Sequence, residues 1–196
     1  MKKTIALTLL GLASAFALTT TSAKAEETLP KSTQTETNLT TKGDGIDITV
    51  GNLNFTEFTI NTGKDTQPVS STTGLEINVT DLRGTREGWQ VSAQHDGLTY
   101  SDDTLTGATI ALQDGGLSNN ISESNAPTLS QKLSIGEGEA SPISTAIKEN
   151  GMGTWDHNWG AGNVILNIPA KEARDMYEGQ YSTTITWTLA SVPVAE

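Results

Sequence analysis

The stretch Gln180-Tyr-Ser-Thr-Thr-Ile-Thr-Trp-Thr-Leu189 alternates without a break. Tyr181, Thr183, Ile185, Trp187 and Leu189 fall on one face, and Ser182, Thr184, Thr186 and Thr188 on the other. A side-chain period of two belongs to a β-strand with one buried face. An earlier run, Trp89-Gln-Val-Ser-Ala-Gln94, repeats the pattern: Trp89, Val91 and Ala93 alternate with Gln90, Ser92 and Gln94. Leu75, Ile77 and Val79 alternate with Glu76, Asn78 and Thr80 in the same way.

Working outward, short runs separated by Gly, Asn and Asp fill the chain from Gly45 onward. The expected strands are Ile46–Val50, Leu53–Ile60, Leu75–Asp81, Gly88–Gln94, Ala108–Gln113, Leu129–Ile135, Val164–Ile168 and Gln180–Leu189. Regular short strands with turn residues between them predict an all-β domain, an antiparallel β-sandwich or partly closed barrel. Two short helical turns are expected, Ile143–Glu149 after Pro142 and Ala170–Met176 after Pro169.

The N-terminus reads as an address. Lys2 and Lys3 precede a mostly apolar run, Thr4 to Leu18, and Ala23-Lys24-Ala25 fits a small-x-small cleavage site. The expectation is a signal peptide over 1–25, a flexible polar leader over 26–44 and a β domain over 45–196. No second apolar run, lipobox cysteine or C-terminal sorting motif follows, so the mature protein is expected to be exported without its own membrane or covalent wall anchor. The signal segment takes 3 of the 12 basic residues and none of the 23 acidic ones, leaving 9 against 23 and a net charge of −14. Such a surface excludes nucleic acid as a natural partner and repels anionic envelope polymers. Attachment to a wall then needs neutral sugar or peptide contacts, a bridging cation or a protein partner. With no cysteine, a disulfide scaffold is excluded, and the remaining 171 of 196 residues suffice for one core without staples.

No nucleophile set or cofactor motif is present, and the chain is read as a non-enzyme. The two histidines, His95 and His157, lack metal-ligand spacing. His157 is read as a solvated loop residue rather than a ligand or general base. Asp102, Asp103 and Asp114 are read as turn residues rather than calcium ligands.

Three segments carry the candidate site. Asp81-Leu-Arg-Gly-Thr-Arg-Glu-Gly-Trp-Gln-Val91 reads as a β-hairpin in which Asp81 and Arg83, two apart, lock the turn. The functional alternative is a recognition loop presenting the Arg83 guanidinium to a carboxylate or wall peptide. Gly151-Met-Gly-Thr-Trp155-Asp-His-Asn-Trp159-Gly-Ala-Gly162 reads as a glycine-punctuated surface loop, with Trp155 mainly buried and Trp159 partly exposed to stack on sugar. The third segment is the closing strand with Trp187 and Leu189.

Taken in order, the signal peptide, the polar leader, Asp-x-Arg-Gly-x-x-x-Gly-Trp-x-Val at 81–91, Gly-x-Gly-x-Trp at 151–155 and Tyr-x-x-x-Ile-x-Trp-Thr-Leu at 181–189 followed by Pro193 resemble the WxL-domain surface proteins of low-GC Gram-positive bacteria. The resemblance covers the chain from about Gly45 to the end. It implies a β-rich domain held non-covalently at the cell wall through peptidoglycan. It also implies a membrane-anchored WxL-interacting protein as partner and, in some members, adhesion to host matrix protein. Trp89 and Val91 match the first family motif, with Val in the Leu position; Trp187 and Leu189 match the second. Asp156 to Trp159 maps onto no family motif. Alternation places the motif residues with the apolar set, so both tryptophans are expected to be chiefly core, and the binding surface is sought in the loops around Arg83 and Trp159.

Overall fold

A computed structural model describes residues 31–34, 45–61, 63–120 and 125–191. The expected signal peptide, most of the polar leader and Pro193 lie outside the described residues. The strands are β1 (Lys31–Gln34), β2 (Ile46–Val50), β3 (Thr66–Ser70), β4 (Leu75–Asp81), β5 (Trp89–His95), β6 (Leu98–Tyr100), β7 (Asp103–Leu105), β8 (Thr109–Gln113), β9 (Gly116–Asn119), β10 (Thr128–Leu129), β11 (Lys132–Ile135), β12 (Ser141–Ala146), β13 (Gly153–Trp159), β14 (Val164–Pro169) and β15 (Ile185–Ala190). One short helix, α1 (Ala170–Arg174), follows β14.

These strands form a sandwich-like stack of antiparallel sheets rather than a closed barrel. The first sheet has the order β1-β15-β5-β12-β10, the second β2-β4-β13-β9 and the third β11-β8-β14-β3, with β6 and β7 as a separate hairpin. All named pairings are antiparallel. One contiguous apolar cluster joins the sheets. It is supplied by the alternating positions expected from sequence: β4 buries Leu75, Ile77 and Val79, β5 buries Trp89, Val91 and Ala93, and β15 buries Ile185, Trp187 and Leu189. Within the stretch read as leader, Lys31–Gln34 pairs with β15.

Prolines sit where a ladder tolerates them. Pro68 lies in β3, an edge strand of its sheet. Pro142 lies at a register shift in β12, where a missing N–H costs little. That shift turns both Ile143 and Ser144 inward, which is how a bulge re-aims side chains.

Six local expectations are corrected. The closing strand expected over Gln180–Leu189 begins only at Ile185, because Ser182 is instead bridged to Thr99. The strand expected over Leu129–Ile135 is two, β10 and β11, in different sheets. Leu53–Ile60 is irregular apart from a bridge between Phe55 and Ser71. The carbonyls of Asn52, just before it, and Asn54, within it, are taken by the hydroxyls of Thr73, Ser71 and Thr72, which compete with a strand ladder. The span 143–149 is no helix: its first half continues β12, paired to β5 and β10. The 81–91 segment is not a hairpin, because β4 and β5 belong to different sheets; residues 82–88 form a corner between layers. Finally, Gly151 to Trp159 is not a surface loop. Its last seven residues are β13, central in its sheet between β4 and β9. Glycine punctuation obscured an alternation that buries Trp155, His157 and Trp159.

Candidate functional site

The two motif strands lie side by side. β15 pairs with β5 so that Leu189 stands opposite Val91 and Trp187 opposite Ala93. On the other side of β5, Trp89 stands opposite Ala146 of β12. Each indole thus faces a methyl side chain across the ladder, which leaves room for a large ring between strands about 4.7–4.9 Å apart. Trp89, Val91, Trp187 and Leu189 are all fully buried. The motif is therefore a packed unit of the core, as alternation predicts, and offers no exposed face to a ligand.

The indoles differ in their polar ends. Trp89 Nε1 donates to the Gly151 carbonyl at 2.9 Å, and Trp155 Nε1 donates to the Met152 carbonyl at 3.0 Å. Trp187 Nε1 and Trp159 Nε1 are buried without a hydrogen-bond partner. Gly151 has φ +76°, and a side chain there would collide with Trp89 Nε1, 2.6 Å from where its Cβ would stand. Gly151 thus brings a carbonyl directly against the Trp89 ring, an approach open only to glycine.

Arg83 and Asp81 form the lock expected of them, at a sheet-to-sheet corner rather than a hairpin. Arg83 Nε donates to Asp81 Oδ1 at 3.0 Å and Nη2 to Asp81 Oδ2 at 2.9 Å. The same Nη2 reaches the Gly88 carbonyl, also at 2.9 Å, and Nη1 reaches Ser191 Oγ, just past β15, at 2.9 Å. The Arg83 backbone N–H also donates to Asp81 Oδ1. Both side chains are nearly inaccessible, 6% and 2% exposed. A bidentate, buried guanidinium–carboxylate pair holds geometry rather than presenting charge. Arg83 thus ties together the end of β4, the start of β5 and the end of β15, and it is not available as a recognition group for carboxylate.

Trp159 corrects the expectation of a sugar-stacking ring: it is 1% exposed. Gly115, at the turn between β8 and β9, packs against it, with Trp159 Nε1 2.5 Å from the position a Cβ would take. Trp155 is buried, as expected.

His157 is likewise not solvated. It lies in β13, 1% exposed, with Nδ1 3.1 Å from the Ile77 carbonyl and Nε2 2.9 Å from Ser144 Oγ. A carbonyl only accepts, so Nδ1 carries the proton and Nε2 accepts from the serine hydroxyl. Burial lowers its pKa below the ordinary 6.5, against weaker opposing effects of the Ile77 and Trp155 backbone and the Asp156 charge. The buried, bulged Ser144 explains this bond, and no sequence signal marks that bulge except Pro142. His95 is also buried, between the Gly97 N–H and the Ala108 carbonyl. Asp103 begins β7, and Asp114 occupies a turn at φ +50°. Among the described residues, no group of three or more His, Cys, Asp or Glu is placed to hold a metal ion.

The structure thus brings Trp89, Val91, Trp187, Leu189, Asp81 and Arg83 into one region spanning two sheets, with Gly151 and Ser191 completing it. It leaves Trp155 and Trp159 as core residues of the facing sheet. No curated protein and no solved structure matches the chain. A family model described as WxL domain, surface cell wall-binding, matches residues 19–193. That match spans more than half of the 196 residues, and the chain belongs to the WxL-domain family of surface cell wall-binding proteins.

Proposed function

We propose that this protein is an exported, non-catalytic module that attaches non-covalently to peptidoglycan and works beside a membrane-anchored WxL-interacting protein. The family match over 19–193 carries this reading. Chain chemistry supports it. With a net charge of −14 after signal removal, long-range attraction to anionic wall polymers is ruled out, so short-range contacts to neutral sugar or peptide must supply affinity. The motif tryptophans contribute by fixing the sandwich, and the ligand meets the outer surface.

A second reading is an adhesin for a host extracellular-matrix protein. It draws on the end strands of the sheets, such as β11, which ends the order β11-β8-β14-β3 among the described residues. Such an edge can accept a partner strand through main-chain hydrogen bonds.

Sedimentation of the secreted protein with purified sacculi tests the first reading, with and without chelator and high salt. Retention in every condition is expected. Loss on chelation would instead assign a cation bridge, and absence from the pellet throughout would refute wall binding. Parallel pulldown on matrix proteins tests the adhesin, and release of soluble muropeptides would overturn the non-catalytic assignment.

A further inference from the structure

All three tyrosines of the chain meet at one place. Tyr100 ends β6, while Tyr177 and Tyr181 come from the segment between α1 and β15. The Tyr100 ring stacks on Tyr181 with centroids 5.2 Å apart and planes 30° apart, and on Tyr177 at 6.2 Å and 28°. This cluster lies at the far ends of β5 and β15 from the Arg83 corner, since β5 leaves that corner at Trp89 and β15 reaches it at Ala190.

The arrangement is held by more than ring contact. Thr99 and Ser182 exchange both backbone hydrogen bonds, at 2.7 and 3.0 Å. The Tyr177 N–H donates to Tyr181 Oη at 2.7 Å. Gly179 rests on the Tyr100 ring, so closely that any Cβ there would overlap it. Met176 packs against the core. Tyr177, by contrast, is 63% exposed, the most exposed large hydrophobic side chain among the described residues. Residues 96–105 and 175–182, which build the cluster, carry Asp96, Asp102, Asp103, Asp175 and Glu178 and no Lys or Arg.

We infer that this tyrosine platform is the glycan-reading face of the module, taking a neutral, N-acetylhexosamine-type polysaccharide strand. The inference rests on the wall-binding reading and names the wall component. A rigid aromatic face suits the C–H face of a pyranose ring, since the ring is already ordered before binding. Carboxylates in the segments that build it supply acceptors for sugar hydroxyls. The same carboxylates repel phosphate- or carboxylate-bearing polymers, which leaves the neutral glycan as the wall component this surface fits.

The test uses the secreted protein, sacculi stripped of anionic polymers, and a soluble oligomer of β-1,4-linked N-acetylglucosamine. Calorimetric titration gives oligomer affinity, and sedimentation gives sacculus affinity. Tyr177→Ala is expected to weaken both about tenfold with an unchanged melting temperature. Tyr177→Phe, which keeps the ring, and Ile147→Ser, which removes a comparably exposed apolar side chain (62%) elsewhere, are expected to bind as wild type. If wild type and Tyr177→Ala sediment with sacculi equally, the platform is not the site, though wall binding stands. If wild type sediments but the oligomer does not bind, the component recognised is not the glycan, and the inference falls. If wild type does not sediment at all, the wall-binding reading itself fails.

Discussion

Trp89 and His157 lie in different sheets and meet edge to face, with ring centroids 6.0 Å apart and planes at 70°. Through this contact the first motif tryptophan joins a cross-sheet network. Its own Nε1 is held by the Gly151 carbonyl, and His157 bonds back to Ser144 on β12, the strand beside β5. Trp187 has no such polar tie. The two signature tryptophans, alike in sequence setting, are therefore unlike in energetics.

This difference is measurable with Phe at each position. Trp89→Phe removes a donor and leaves a buried carbonyl unpaired, whereas Trp187→Phe breaks no hydrogen bond. Trp89→Phe should cost about 1–3 kcal/mol more than Trp187→Phe in denaturant unfolding. Equal losses would show that the Gly151 bond contributes nothing net.

Trp187→Ala separates a structural from a contacting motif. Removing a fully buried indole opens a cavity and should cost about 3–5 kcal/mol. Wall binding should then disappear together with the folded far-UV circular dichroism signal and the melting transition. A variant that melts as wild type yet fails to sediment with sacculi would instead place Trp187 on the ligand.

At the Arg83 corner, Arg83→Ala leaves the Asp81 carboxylate buried without its partner and should cost about 3–5 kcal/mol. Arg83→Lys should not rescue it, because an ammonium cannot span Asp81, Gly88 and Ser191 at once. Combining Arg83→Met with Asp81→Leu removes both charges and should recover much of the loss. A double variant as unstable as Arg83→Ala would mean that the hydrogen bonds to Gly88 and Ser191, rather than charge pairing, hold the corner.

The glycines offer a paired comparison. Gly151 and Gly84 have nearly equal φ, +76° and +72°, but only Gly151 has atoms within 4 Å of where a Cβ would stand. Gly84→Ala should cost only the backbone term, roughly 1–2 kcal/mol. Gly151→Ala should cost clearly more, because Trp89 must also move. Matching melting temperatures would contradict the packing argument.

His157 makes stability depend on pH. Its folded pKa lies below 6.5, the ordinary value, because burial disfavours the charged ring. As pH falls below about 6.5, the unfolded chain takes up a proton that the folded chain resists, so stability drops until the folded value is reached; above 6.5 this group has no effect. Melting temperatures of wild type and His157→Gln between pH 7.5 and 5 should converge as pH falls. Parallel curves would show that His157 titrates alike in both states.

Much of the fold was legible because period-two burial is local. Leu75–Asp81, Trp89–Gln94 and Ile185–Leu189 each state which face is inward without reference to any other strand. The misread segments are those in which local chemistry pointed elsewhere. Glycines hid the alternation of Trp155, His157 and Trp159. Pro142 suggested a helix start where it serves a bulge. Thr and Phe over 55–60 suggested a strand, but the carbonyls of Asn52 and Asn54 that lead into it are claimed by the hydroxyls of residues 71–73. None of these outcomes is encoded within a window of ten residues.

The sequence alone determined the family, the all-β class and the burial of the motif, because charge, motif order and alternation are properties of the chain itself. Only tertiary structure decided that Arg83 closes a corner between two sheets, that Trp159 and His157 are core, and that Tyr100, Tyr177 and Tyr181 form one surface. Strands distant in sequence select their partners through packing and backbone hydrogen bonds that no single strand specifies. A loop residue's exposure is therefore settled only when the sheets have met.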